Sequence, residues 1–534
     1  MALEPVDARQ QQMTDVNSES VNHGVGASLA TADDADRVFA PMPRTESWPA
    51  APDSAVHPES LLARLGAALE AGRVRYCQWK GHARLARLGA GEGDLDLLVD
   101  RAHAGAVSAI LDSLGFRLAL PPAARQVPGV LSYLGVDPAC NHLLHVHVHF
   151  RLIIGRMWSR YYRLPMEDAV LDSSIERAHF RTPAPDFELL LYVLRTTLRH
   201  GPLEALSLRD PRWLRSAALE LELLEDEARH ADLVRLLRQH LPEVDHGCFE
   251  RCRASLRRGS APVFRLLARL ELERRLSAHR RSAGAGALLA GIARRVRRVV
   301  QPLNRERHGP GKRLASGGAV IALVGADGAG KSTCARALRQ FMAAELDVHH
   351  AHLGRPRRSL LTLAVGGALR LSRRMDARRR VAPPSRTTAH LELMRYVCTA
   401  RDRMRLQQRV QRRATMGGLV LCERYPMREN HALAGPSLAQ GEALAARTRF
   451  AATLRRCELD YYSRMAAPDL VVVLRVEPDT AVWRKPEEPA AYVHRRASIV
   501  WATEWPERHA ILVDADQPLP HVLRELRSRI WEAL

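Results

Sequence analysis

Residues 319–333 read AVIALVGADGAGKST, and this stretch decides the fold of the part of the chain that contains it. The apolar run from Val320 to Val324 predicts a short buried β-strand. It leads directly into a turn, residues 325–332, that fits the phosphate-loop pattern G-x-x-x-x-G-K-[ST]. The predicted phosphate-binding residues are Gly325, Ala326, Asp327, Gly328, Ala329, Gly330, Lys331, Ser332 and Thr333.

Each residue type in this loop has a chemical reason. Glycines let the backbone turn so that its N–H groups converge on phosphate oxygens. The helix that follows presents its positive N-terminus to the same anion. We expect Lys331 to reach the outer phosphates of ATP and the Ser332 hydroxyl to bind Mg²⁺. The loop therefore predicts ATP and Mg²⁺ as cofactors.

Further buried strands are predicted at 419–422, 470–474 and 510–513, with helical patterns between them. Alternation of this kind is typical of a parallel sheet covered by helices on both faces. The fold class predicted for residues 316–534 is therefore α/β, a P-loop domain of the kinase type.

Polar residues at the strand ends carry the predicted chemistry. Glu423 is expected to hold Mg²⁺ or to orient an acceptor hydroxyl, and Arg424 to neutralise a transferring phosphoryl group. Upstream, Arg403 lies on a predicted helix and is a candidate for binding the acceptor. Arg484 and Lys485 lie on a segment that is expected to close over ATP.

This arrangement resembles the thymidylate kinase family over about residues 316–534. The segments that carry the resemblance are GADGAGKST, Ala400-Arg401-Asp402-Arg403, Cys422-Glu423-Arg424-Tyr425, Pro468-Asp469-Leu470-Val471, Arg484-Lys485 and Val513-Asp514-Ala515. The resemblance implies an ATP-dependent nucleoside monophosphate kinase, with thymidylate as the first guess for the acceptor. It also implies a homodimer, because members of the family are typically dimers.

The resemblance assigns roles to individual residues. It implies that Asp327 contacts the sugar of the acceptor and that Arg403 binds its phosphate. Glu423 and Arg424 correspond to the family's strand-end Asp-Arg pair. Gly328 lies where some members place a catalytic arginine, so Arg484 on the lid is the implied replacement.

Several positions depart from the family. The strand-end carboxylate is Glu423 and not Asp, and Arg475 lies where Asp is usual. Pro426 follows Arg424-Tyr425 in place of the usual Ser. The stretch 355–386 is strongly basic, which favours either a more anionic acceptor or a solvated surface loop.

A second predicted domain covers residues 58–250. A strand at 74–79 is followed by Lys80, a candidate phosphate-binding residue, and Asp94 and Asp96 then occur at i and i+2. Two carboxylates at this spacing face the same side of a strand and can hold a divalent metal against a triphosphate. This part resembles uncharacterised bacterial nucleotidyltransferases, which implies an α+β nucleotidyltransferase-like domain with a helical extension.

The third carboxylate of such enzymes is replaced here by His147 in the run His145-Val146-His147-Val148-His149. Two interpretations remain open. The alternating histidines share one strand face and can bind a softer metal, or they are hydrogen-bonded polar residues facing a groove. The pair Asp94 and Asp96 is accordingly either catalytic or part of a degenerate, nucleotide-sensing or structural domain.

The chain has 534 residues and a net charge of +21, which favours anionic partners. The composition of residues 1–57 predicts a disordered tail, and that of residues 251–315 predicts an Arg-rich helical connector. The connector either contacts a membrane surface or nucleic acid, or packs on its own domain with a solvated basic face. Scattered cysteines and the lack of a secretory or spanning segment predict a cytoplasmic protein.

Three functions remain from the sequence. The first is an ATP-dependent kinase that acts on a small-molecule phosphate acceptor. The second is a nucleotide-binding switch that docks on a membrane or nucleic acid. The third is a bifunctional kinase and nucleotidyltransferase.

Overall fold

Two β-sheets with flanking helices make up the computed structural model of the protein. It describes residues 59–81, 93–123, 126–127, 129–155, 162–177, 179–199, 212–228, 230–281, 311–380, 384–427, 434–436, 448–505 and 509–534. The predicted tail 1–57 and the basic amphipathic stretch 288–299 of the connector lie outside the described residues. The predicted domain boundaries at 250/251 and 315/316 stay predictions.

The first sheet is mixed and is formed mainly by the N-terminal part of the chain. Its strands are β1 (Tyr76–Lys80), β2 (Leu95–Val99), β3 (Arg117–Leu120), β4 (Val130–Val136), β5 (Leu143–His149) and, later in the chain, β8 (Arg313–Leu314). They lie in the order β1-β2-β5-β4-β3-β8, and β2 and β5 run parallel. The short strands β6 (Leu152–Ile154) and β7 (Tyr162–Leu164) form a separate pair.

Helices cover this sheet because its inward-facing residues are apolar. Helices α1 (Leu61–Ala71) and α2 (Ala104–Ser113) share a buried core with β2 and β5, which includes Leu65, Val107 and Val146. The helical part comprises α3 (Glu167–Asp172), α4 (Pro185–Arg199), α5 (Arg212–Glu227), α6 (His230–His240), α7 (His246–Ser255) and α8 (Pro262–Arg275). Its core includes Cys252 and Leu272.

The second sheet is entirely parallel. Its strands are β9 (Ala319–Gly325), β10 (Val348–His352), β11 (Leu419–Glu423), β12 (Leu470–Arg475) and β13 (Ala510–Asp514), in the order β10-β11-β9-β12-β13. Every residue of β9 and β11 is buried, and side chains alternate between the faces of a sheet. Both faces at the centre of this sheet are therefore covered, as expected of an α/β fold.

The helices of this part are α9 (Lys331–Met342), α10 (Leu360–Arg378), α11 (Arg386–Thr415), α12 (Arg449–Ser463), α13 (Pro478–Trp483), α14 (Ala490–Ala502) and α15 (Leu519–Ala533). The four strands predicted from apolar runs are confirmed as β9, β11, β12 and β13. Strand β10 was not predicted.

The two sheets belong to one compact unit, Pro49–Leu534. Strand β8 pairs with β3 and so extends the first sheet just before β9 begins. The indole N–H of Trp531, on α15, donates to the backbone carbonyl oxygen of Gly115 at 2.9 Å. Among the described helices, none has both the length and the apolarity needed to cross a bilayer.

Candidate functional site

The glycine-rich loop connects the end of β9 to the start of α9, at the carboxyl edge of the parallel sheet. Its backbone requires glycine at particular positions: Gly328 and Gly330 have φ values of +88° and +79°. A Cβ atom on Gly328 would lie 2.8 Å from the carbonyl oxygen of Ala481 on α13. The loop is therefore pressed against α13, and a side chain at Gly328 would push them apart.

Lys331 is the first residue of α9 and points back over the loop. Its Nζ donates to the carbonyl oxygen of Ala326 at 2.6 Å and lies 3.9 Å from Oδ1 of Asp327. Burial of the ammonium group lowers the pKa of Lys331 to about 8. A cation held in this way is poorly solvated, and an anion brought into the loop would compensate it.

In the absence of nucleotide, burial of the Lys331 ammonium group lowers the stability of the folded protein. A lowered pKa means that the unfolded chain holds its proton to higher pH than the folded chain. This loss of stability is largest below about pH 8, where Lys331 is charged in both the folded and the unfolded protein. It decreases as the pH rises towards 10.5, because Lys331 in the folded protein becomes neutral. We expect Lys331→Met to raise the melting temperature at about pH 7, by the equivalent of about 3 kcal/mol at most, and the gap to narrow at about pH 10. Thermal melts of both proteins check this, and a gap that widens with pH would contradict it.

Ser332 and Glu423 meet beside the loop. The Ser332 hydroxyl donates to Oε2 of Glu423 at 2.6 Å, and Nε2 of His350 on β10 lies 2.8 Å from Oε1. The His350 hydrogen bond, together with that of Ser332 and against the effect of burial, lowers the pKa of Glu423 to about 2. The carboxylate is thus ionised at neutral pH and held from both sides.

Asp327 lies at the centre of a cationic cluster. Its Oδ1 accepts a hydrogen bond from Arg424 at 2.7 Å, and its Oδ2 lies 3.0 Å from Nε of Arg496 on α14. Arg424 has a φ of +52°, a region that residues with side chains seldom occupy. This backbone turns its side chain towards the loop immediately after β11 ends.

The remaining predicted site residues contact partners outside the loop. Arg403, on α11, donates from Nε to the carbonyl oxygen of Leu353 at 2.9 Å and hydrogen-bonds the Tyr462 hydroxyl. Leu353 directly follows β10, so Arg403 reaches the same edge of the sheet. Arg484 donates to the carbonyl oxygen of Ala515 at 2.9 Å. Lys485 pairs with Glu487 at 2.7 Å, and its side chain is 38% exposed.

The structure thus brings together Lys331, Ser332, Asp327, Glu423 and Arg424. It directs Arg484 and Lys485 to partners outside the loop. His350 and Arg496 were missed by sequence reasoning. Arg496 and its neighbour Arg495 come about a dozen positions after the predicted lid. This pair of arginines is the one sequence signal that could have indicated Arg496 as a site residue.

A second cluster lies where β2 and β5 run side by side. Nζ of Lys80 is 2.7 Å from Oδ1 of Asp96, and Nε2 of His149 is 2.9 Å from the same oxygen. Although burial alone raises the pKa of Asp96, Lys80 and hydrogen bonds from His147 and His149 bring it well below its usual range. Burial lowers the pKa of His149 to about 4, so its ring is neutral.

Asp94 forms the outer half of this cluster. Its Oδ1 lies 2.7 Å from Nδ1 of His145, and its Oδ2 is 3.9 Å from Nδ1 of His147. The rings of His145 and His147 have centroids 4.0 Å apart. Because side chains alternate along β5, its three histidines lie on one face of the sheet, the face that also carries the carboxylates of Asp94 and Asp96.

Two of the known proteins that are similar to this chain come from Escherichia coli K12. The uncharacterised ATP-binding protein YghS is 28% identical over 228 residues, which make up 40% of this chain and 93% of the relative. The uncharacterised ATP-binding protein YghR is 25% identical over 225 residues, 40% of this chain and 86% of the relative. No protein-family model matches the chain.

Proposed function

We propose that residues 316–534 bind ATP with Mg²⁺ and transfer its γ-phosphoryl group to a phosphorylated small molecule. The observation that carries this proposal is the convergence of Lys331, the Ser332–Glu423 pair and two arginines, Arg424 and Arg496, at the end of adjacent parallel strands. Ligands of open α/β sheets bind at this edge. The ATP-binding names of the two relatives support the nucleotide.

Each group has a role in phosphoryl transfer. The loop amides and Lys331 hold the outer phosphates, since the ammonium group is buried beside the turn. Arg424 and Arg496 share the counterion Asp327, and they can turn to the reacting phosphates, where negative charge builds up on the leaving oxygen of ADP as the bond breaks. Positioning and charge stabilisation, without a covalent intermediate, account for the expected rate enhancement.

The residues present fit a magnesium ion. A hydroxyl and an ionised carboxylate, Ser332 and Glu423, meet at 2.6 Å and supply the hard oxygen ligands that Mg²⁺ prefers. His350 fixes the carboxylate from the opposite side. When bound, the ion would neutralise negative charge on the phosphates of ATP.

The acceptor would bind beside the segment around Leu353, which follows β10. Arg403 donates to the Leu353 carbonyl, and a Cβ atom on Gly354 would lie 2.8 Å from the side chain of Arg424. Arg403 and Arg424 therefore approach one point, as expected for two arginines that share an anionic acceptor. A nucleoside monophosphate fits this proposal, with thymidylate as the first guess, and the homodimer stays a prediction.

The deciding experiment is ADP formation from Mg-ATP across a panel of acceptors. The panel contains thymidylate, the other nucleoside monophosphates, sugar phosphates and sugars, and mass spectrometry identifies any acceptor that gains a phosphoryl group. We expect ADP release that depends on one phosphorylated acceptor. ATP binding without acceptor-dependent turnover would count against the kinase and favour the nucleotide switch.

A further inference from the structure

The histidines of β5 and the carboxylates beside β2 form two overlapping groups of metal-ligating atoms. One group is Asp94, His145 and His147, and the other is Asp96, His147 and His149. Within each group the ligand atoms lie within 4.8 Å of one another. Because the groups share His147, the question is which of them an ion would occupy.

The inner group already contains a cation. The ammonium group of Lys80 lies 2.7 Å from Oδ1 of Asp96, the same oxygen that contacts His149 at 2.9 Å and His147 at 3.3 Å. The side chains of Asp96 and His149 are only 10% and 8% exposed. A metal ion placed here would have to displace Lys80 from a buried carboxylate, which favours the outer group.

The outer group is open on one side and fixed on the other. The Asp94 side chain is 44% exposed and that of His147 is 23% exposed, whereas that of His145 is 5% exposed. Near His145, Glu345 is neutralised by its ion pair with Lys312, so it brings no unbalanced charge. An ion can therefore reach this group from solvent and find one rigid and two adjustable ligands.

We propose that Asp94, His145 and His147 bind one divalent transition-metal ion of the Zn²⁺ or Co²⁺ type, and that Lys80 keeps Asp96 out of the site. Two imidazoles and one carboxylate select such ions over Mg²⁺, which prefers oxygen ligands. Ligands of a tetrahedral ion lie roughly 3.4 Å apart. The 2.7 Å contact of Asp94 with His145 must open slightly, which the exposed Asp94 side chain permits.

Binding also moves a proton. Nδ1 of His145, which now donates to Asp94, must become a ligand lone pair, so the neutral ring carries its proton on Nε2. Three protein ligands leave a coordination position for water or an anion, the arrangement of zinc sites that bind exogenous ligands. The departure from three carboxylates thus changes the class of metal.

The test is Co²⁺ titration of the tag-free full-length chain, followed by visible absorption and calorimetry. The chain has 23 histidines and 8 cysteines, so stoichiometry alone does not identify a site. We expect ligand-field bands from one equivalent, and a loss of affinity of at least about 100-fold in Asp94→Asn and in His147→Ala. His142→Ala is the matched control, because His142 precedes the same strand but belongs to neither group, and its affinity should not change.

Two further variants address the inner group: Lys80→Met tests the effect of the ammonium group, and His149→Gln distinguishes the inner group from the outer one. Without the ammonium group, Asp96 becomes available and the local charge becomes more negative, so Co²⁺ affinity should rise at least about tenfold. His149→Gln should leave the affinity within about threefold of the unmodified chain, because His149 lies outside the site. Loss of binding in His149→Gln but not in Asp94→Asn would overturn the assignment. So would cobalt–thiolate absorption, or displacement of the Co²⁺ that gives these bands by an equal concentration of Mg²⁺.

Discussion

Replacing Lys331 by methionine is expected to lower ATP turnover by about 100- to 1,000-fold while leaving the fold intact. Methionine is close to lysine in length and shape but cannot donate a hydrogen bond or carry charge. The ammonium group lies over the loop, with Nζ 2.6 Å from the carbonyl oxygen of Ala326. Loss of one preorganised donor from a site that stabilises developing negative charge has an effect of this size.

The same substitution has opposite effects on activity and stability. The pKa of Lys331 is about 8, so the folded protein without nucleotide holds a charge that burial disfavours. Removing that charge should stabilise the empty protein and abolish the additional stabilisation that ATP gives. Such a trade-off is expected where a site is built for a ligand and not for its own stability.

The matched control is Arg336→Met, which removes a positive charge from an exposed position of the same helix. Its turnover should stay within about twofold of the unmodified protein, because the side chain faces solvent away from the loop. Equal losses in both variants would indicate a general charge effect and would contradict a specific role for Lys331. Full turnover in Lys331→Met would remove the basis of the kinase proposal.

Local patterns were sufficient to predict the central strands and the loop. Apolar runs such as Val320–Val324 are buried on both faces of the sheet, and that burial is what the sequence displays. Strand β10 reads VHHAH and has only one buried residue, because it lies at the edge of the sheet. An edge strand without an apolar run gives no comparable signal, so β10 and its His350 were missed.

Contacts between distant elements were beyond prediction from one sequence. Arg496 reaches Asp327 only because α14 packs beside the loop, and no motif joins these two residues. The partner of Lys80 depends on a register irregularity between Gln78 and Lys80, which sets Lys80 opposite Asp96. The alternation of side chains along a strand predicts that His145 and His149 share a face. It does not predict that Lys80 forms an ion pair with Asp96.

Glu423→Gln is expected to raise the Mg²⁺ concentration that turnover requires. The substitution keeps the shape of the side chain and removes the charge that His350 and Ser332 now hold. A neutral amide is a poorer ligand for a hard divalent ion. At limiting Mg²⁺ we expect turnover to fall by about 100-fold, with partial recovery when Mg²⁺ is raised, since the remaining ligands can still be saturated.

Glu477→Gln is the matched control for this charge. Glu477 is an exposed carboxylate just beyond the end of β12 in the same sheet, so its neutralisation should change turnover by less than about twofold. Measuring the rate against Mg²⁺ concentration for both variants separates metal binding from a general loss of negative charge. If Glu423→Gln lowers the rate equally at all Mg²⁺ concentrations, Glu423 acts on the acceptor and not on the ion. If the rate does not change at all, the Ser332–Glu423 pair has no part in the reaction.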